Sequence, residues 1–193
     1  MIGPLEITAN VASAACIVLA GRNNIHTWWT GIVGCSLFAV LFYQTQLYAD
    51  VVLQLFFVVT GVVGWVQWLR GDRGDVLPIT HARLKTLAMI IPVAFAATAA
   101  YGALLHHYTQ AYAPFFDSAV LVFSVVAQFL LMQRKVDNWP FWLLVNSIAV
   151  PLYARRGLHL TAFLYALYWL NAVASWLWWR RLARQSTMEV TSA

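Results

Sequence analysis

Runs of apolar residues free of Asp, Glu, Lys and Arg recur along the chain at 7–20, 28–49, 51–69, 86–105, 118–133, 139–154 and 158–179. Each approaches the roughly 17 to 25 residues that cross about 30 Å of hydrocarbon, the first and fifth being short. The pattern predicts an all-α membrane protein with seven transmembrane helices and almost no chain left for a soluble domain. A cleaved signal peptide is not expected, because residues 1–6 carry no Lys or Arg and no small-residue cleavage site follows the first run.

Self-comparison at an offset of 111 aligns 28–70 with 139–181. The matches include Trp28 with Trp139, Ser36 with Ser147, Trp65 with Trp176, Trp68 with Trp179 and Arg70 with Arg181. Leucine and valine matches are cheap in apolar sequence, whereas the recurring W-x-x-W-x-R ending is not. The first helix pairs with the fifth in the same frame, Ser13 opposite Ser124. The plan is one transmembrane domain over 1–193, with a three-helix repeat at 7–70, a connector helix at 83–107 and a second three-helix repeat at 116–181.

Charge supplies the orientation. Cytoplasmic loops carry the Lys/Arg excess, and with seven spans ten of the twelve basic residues fall on one side, only Arg155 and Arg156 on the other. This puts the N-terminus outside and the C-terminus in the cytoplasm, with both repeats running the same way through the bilayer. Parallel repeats are one of the transporter plans, with the substrate site near mid-membrane between them. The net charge of +5 reads as topology and attraction to anionic lipid, not as nucleic-acid binding.

At 62% hydrophobic and 10% charged, the composition makes every polar side chain inside a run notable, since hydrocarbon offers no partner. Gln54, Gln128, Asn146, Asn171, Thr161 and Tyr165 stand out. For any one amide, interhelical hydrogen bonding and ligand contact are both open. In the repeat frame Gln54 is equivalent to Tyr165, so a central axis would bring the two to opposite walls of one site. Asn138, Trp142 and Asn146 follow at one-turn spacing, with Pro151 able to bend the helix beyond them. An indole and amides on one face suit a flat, hydrogen-bonding solute. The other tryptophans, Trp28, Trp65, Trp68, Trp139, Trp176, Trp178 and Trp179, are expected at the cytoplasmic interface, where Trp commonly sits.

Several chemistries find no support. No run holds a mid-span carboxylate or lysine, as a proton-coupled pump or a Schiff base would need, and there is no phosphate-binding P-loop. Cys16 and Cys35 sit in helices as small apolar residues, and the five histidines lie at ends or loops without ligand spacing. Neither an enzyme, a metal centre nor a cofactor is expected.

The stretches LYADVVLQLFFVVTGVVGWVQW, FDSAVLVFSVVAQFLL and KVDNWPFWLLVNSIAVPLYARRGL, with the pattern NW-x-x-W-x-x-x-N, resemble the PnuC family of bacterial vitamin transporters. The resemblance runs from residue 5 to 184, loosely over 71–116. It implies a 3+1+3 fold similar to the SWEET sugar carriers, a homotrimer in the bacterial inner membrane, and facilitated diffusion of nicotinamide riboside made one-way by a cytoplasmic kinase that phosphorylates the arriving riboside. It further implies that Gln54, Asn138, Trp142 and Asn146 recognise the ligand, with Gln128 and Tyr165 beside them. Trp142 would stack on the aromatic ring, and the amides would bind the carboxamide and ribose. The same fold carrying thiamine or another vitamin or nucleoside is the alternative, and a membrane receptor or assembly protein is the alternative of another class.

Overall fold

A computed structural model of the chain describes residues 4–44, 48–71, 77–108, 113–155, 157 and 159–192. Among these the regular structure is entirely helical: α1 (Pro4–Gly21), α2 (His26–Gln44), α3 (Tyr48–Arg70), α4 (Leu84–Tyr108), α5 (Pro114–Met132), α6 (Asn138–Arg155) and α7 (His159–Ser192). Helices at Pro4–Gly21, Val51–Arg70, Leu84–Tyr108 and Pro114–Met132 are long and apolar enough to cross a membrane on length and composition alone. The other three are diluted by Trp, Thr, Asn and Tyr, the residue types from which a site would be built.

Two boundaries differ from the apolar runs. The second run, 28–49, is divided, because α2 ends at Gln44 and Tyr48 already belongs to α3. The last helix extends past Trp179 to Ser192, 34 residues in all, or about 51 Å at 1.5 Å per residue. No Gly or Pro interrupts residues 180–192, so nothing in the sequence ends the helix where the hydrocarbon would.

The chain forms two compact units, Met1–Pro78 and Ile79–Ala193. In the first, α2 packs against both α1 and α3. Close approach there depends on glycine: a Cβ at Gly34 would press on Ser13, and one at Gly64 would overlap the Trp28 ring. In the second, α6 packs between α5 and α7, and α4 lies against α5. Its core joins Ala94 of α4, Phe123, Ala127 and Leu130 of α5, and Phe141 and Val145 of α6. Phe123 stacks on Phe141 with centroids 6.1 Å apart.

The turns that follow α1 and α5 match down to single hydrogen bonds. After α1, Asn23 takes φ 53°, and after α5, Arg134 takes φ 50°, two residues 111 apart. Asn23 N–H donates to Ala20 (3.0 Å) and Asn24 N–H to Leu19 (2.9 Å); Arg134 N–H donates to Leu131 (2.9 Å) and Lys135 N–H to Leu130 (2.9 Å). This is the Schellman arrangement, which satisfies the last carbonyls of a helix within the turn. The next helices then open alike, Trp28 N–H donating to Ile25 and Trp139 N–H to Val136, each at 3.2 Å.

Below each turn lies the same aromatic pair. Trp28 meets Trp68 edge to face at 5.3 Å and 86°, and Trp139 meets Trp179 at 5.5 Å and 81°. The expectation that these four anchor at the membrane interface is corrected: they are 3%, 3%, 2% and 0% exposed, wedged between helices and not presented to headgroups. Trp178, 49% exposed, remains free to do so.

Gly64→Ala is therefore expected to force the Trp28 ring out of place and destabilise the first unit by about 1–3 kcal/mol, seen as a lower melting temperature in detergent. An unchanged melting temperature would show that the indole wedge is dispensable.

Candidate functional site

Helix α6 carries three of the six residues expected to bind a ligand. Its start is fixed by the preceding turn, where Asn138 N–H donates to the Lys135 carbonyl at 3.1 Å and the Asn138 amide Nδ2 donates to the same carbonyl at 2.6 Å. Asn138 is fully buried, and its Oδ1 has no hydrogen-bond partner among the described residues. The equivalent position in the first unit is Thr27, whose hydroxyl donates to the Cys16 carbonyl at 2.9 Å. Both repeats thus spend this side chain on holding the turn, and Asn138 alone adds a spare acceptor.

Trp142 and Asn146 follow at intervals of four residues, about 6 Å along the axis each. Trp142 is half-buried and packs on the α4–α5–α6 core. Its counterpart Gly31 directs a Cβ toward Cys16 of α1. By equivalence Trp142 leaves α6 on the side of Ala127 of α5, which explains why part of its indole is committed to packing. Asn146 is 5% exposed and replaces Cys35 of the first repeat. Gln128, half-buried on α5, replaces Ile17. Three polar or aromatic side chains of the second unit therefore stand where the first has Gly, Cys and Ile.

The α6–α7 register places the remaining candidate. Trp139 faces Trp179, Trp169 Nε1 donates to Ser147 Oγ at 3.1 Å, and Tyr153 contacts Tyr165 with centroids 5.1 Å apart. Tyr165 therefore lies at the level of Tyr153, about 10 Å along the axis from Asn146, and not beside Trp142. The same register puts Asn171 close to the level of Asn146. Gln54 is half-buried on α3, in the first unit. The structure thus places Asn138, Trp142 and Asn146 along α6 and Gln128 on α5, with Tyr165 nearer the other end of α6. The Ser147–Trp169 tie escaped the sequence reading, although the recurrence of Ser147 as Ser36 was its signal.

The turn before α6 is charged. Arg134 is 4% exposed, and burial pushes its guanidinium down to about 10, still protonated at neutral pH. Lys135 Nζ donates to Thr80 Oγ1 at 2.7 Å, and Asp137 accepts from the Ala82 N–H at 2.6 Å with His81 Nδ1 at 3.5 Å. These contacts dock the segment leading into α4 onto the turn leading into α6. Among the described residues no group of three or more His, Cys, Asp or Glu side chains is placed to hold a metal ion.

Residues 3–181 match the family model described as Nicotinamide mononucleotide transporter. The chain is 26% identical to the nicotinamide riboside transporter PnuC of Escherichia coli (strain K12) over 94% of its own length and 87% of that protein. It is equally 26% identical to the riboflavin/roseoflavin transporter RibM of Streptomyces davaonensis, over 94% and 87%. A solved structure described as the crystal structure of the Vitamin B3 transporter PnuC superposes with a TM-score of 0.75 at 26% identity, covering 94% of this chain and 82% of that one.

Because the Asn138 amide closes a turn, Asn138→Ala is expected to lower stability by about 0.5–2 kcal/mol. Asn138→Asp, which keeps an acceptor at Oδ1 but cannot donate to the Lys135 carbonyl, should be at least as costly. Chemical denaturation of both variants checks this, and wild-type stability in either would remove the turn-closing role.

Proposed function

Since the chain belongs to the nicotinamide mononucleotide transporter family, we propose that it is a uniporter that takes up nicotinamide riboside across the bacterial inner membrane. The observation that carries this reading is the placement of Trp142 and Asn146 one turn apart on α6, whose charged residue, Arg155, lies in the last turn. An indole offers a stacking surface to an aromatic ring, and an amide offers both a donor and an acceptor to a carboxamide or a ribose hydroxyl. Gln128, Asn138, Tyr165 and Gln54 complete the proposed recognition set. The nicotinamide riboside transporters among its relatives support the choice of cargo.

An uncharged path suits passive carriage. A solute moved down its own gradient needs no titrating group in the membrane, whereas ion coupling ordinarily leaves a charged residue within a span. Direction then comes from the cell, by a cytoplasmic kinase that converts the riboside to a phosphate the carrier does not accept. In this reading the carrier works as a homotrimer with its N-terminus outside and its C-terminus in the cytoplasm. A second reading has a specific observation in its favour: the riboflavin/roseoflavin transporter matches this chain at the same identity and coverage as the riboside carrier. A larger flavin-type vitamin is therefore the competing cargo.

In proteoliposomes without any ion gradient, labelled nicotinamide riboside is expected to equilibrate, and a riboside concentration about 100 times Kd to stabilise the protein by about 2.7 kcal/mol. Riboflavin and thiamine tested in the same way should leave the melting temperature unchanged. Trp142→Ala and Asn146→Ala should abolish both effects. Uptake that demands a proton gradient would refute passive carriage, and stabilisation by riboflavin alone would transfer the assignment to the second reading.

A further inference from the structure

The turn that opens α6 is tied to a segment 55 residues earlier in the chain. Thr80 and Lys135 form an isolated parallel bridge, in which Thr80 N–H donates to the Arg134 carbonyl at 3.3 Å and Val136 N–H to the Thr80 carbonyl at 2.9 Å. Two side chains reinforce it. Lys135 Nζ donates to Thr80 Oγ1 at 2.7 Å, and Asp137 Oδ2 accepts the Ala82 N–H at 2.6 Å. Ile79 and Val136 are buried on either strand of the bridge.

Asp137 is the last residue before α6, and its carboxylate clasps the segment that leads into α4. Ala82, the residue clasped, packs against the same α4–α5–α6 core as Trp142. Trp142 lies about 7.5 Å along the axis from Asp137, and Asn146 about 13.5 Å. A shift at the start of the helix therefore moves both.

The repeat supplies an internal control. His26, the counterpart of Asp137, accepts a hydrogen bond from Trp29 Nε1 of its own helix at 2.8 Å, and Asn24, the counterpart of Lys135, accepts from the His26 N–H at 2.9 Å. Those side chains bond locally. The central helix they precede has Gly31 and Cys35 where α6 has Trp142 and Asn146. The helix whose start is clasped across the chain is thus the one that carries the proposed recognition residues.

We infer that Asp137 is a positioning residue for riboside recognition: by holding the Ala82 N–H it fixes the start of α6 against the α4 segment, and so the level at which Trp142 and Asn146 are presented. This rests on the transport reading above. A carboxylate acceptor gives the stronger form of hydrogen bond, and a site whose groups are held in place before binding spends less affinity on ordering them. Asp137 acts through α6 and not by touching the solute.

Equilibrium binding of labelled nicotinamide riboside, measured in detergent well below the melting temperature, tests this. In Asp137→Ala the Kd is expected to rise about fivefold or more, and Asp137→Asn, which keeps an acceptor for the Ala82 N–H, should restore it to within about twofold of wild type. An unchanged Kd in Asp137→Ala overturns the role, even where the melting temperature falls, because the clasp would then serve stability alone. Equal loss in the Ala and Asn variants also overturns it. Should Asp137→Ala not fold, Thr80→Val, which keeps the backbone bridge and removes the acceptor of Lys135, is expected to raise the Kd about twofold to fivefold, and no change there overturns the role. The two readings fail differently: a wild-type chain that does not bind riboside overturns carriage and positioning together. Wild-type binding that is lost in Trp142→Ala and unaffected in Asp137→Ala overturns the positioning role alone.

Discussion

A chain that reverses direction at the edge of hydrocarbon must satisfy the last carbonyls of one helix before it can begin the next, because no lipid group will do so. Both triplets meet this demand with the same left-handed turn, at Asn23 and at Arg134, and both lock its position with crossed indoles just inside. The turn sets where the central helix starts, and that start sets the level of everything the helix carries. In the second unit a side chain at that start, Asn138, is itself part of the lock. Trp142 and Asn146 are placed by counting turns from it.

That the lock recurs with different residues shows which parts of it are indispensable. A left-handed position favours glycine, and asparagine tolerates it, whereas arginine does so only with strain. Arg134 is nonetheless buried there, in a turn that also holds Lys135 against Thr80 and Asp137 against Ala82. In the equivalent turn of the first unit His26 N–H bonds to the Asn24 side chain at 2.9 Å. The second turn has acquired a docking role for the segment entering α4, and it tolerates an unfavourable residue because the surrounding contacts over-determine it.

Much of the architecture was legible because hydrophobicity and tryptophan are conspicuous in sequence. The seven runs and the offset of 111 come from apolar length and from Trp28, Trp68, Trp139 and Trp179. The depth of those tryptophans was not legible. An indole at a helix end can snorkel to the interface or wedge inward, and the choice depends on whether the facing residue is small, as Gly64 is for Trp28. The left-handed turns were equally hidden, since neither Asn23 nor Arg134 is a glycine. The three-part spacing of Asn138, Trp142 and Asn146 could be read directly, because they lie on one helix. The level of Tyr165 could not, because it depends on the α6–α7 register, which a pairing between the repeats does not fix.

A duplicated frame also separates what folding needs from what chemistry needs. Where the two copies agree, as in the Schellman turns and the indole pairs, the feature belongs to the scaffold, since two otherwise divergent sequences require it. Where they differ in chemical kind at the same structural position, packing alone does not explain the difference, because the other copy packs without it. Gly31 against Trp142, Cys35 against Asn146, Ile17 against Gln128 and Phe42 against Tyr153 all differ in the same sense, toward hydrogen-bonding or stacking groups in the second triplet. Polar groups in a membrane helix are expensive unless they have work there.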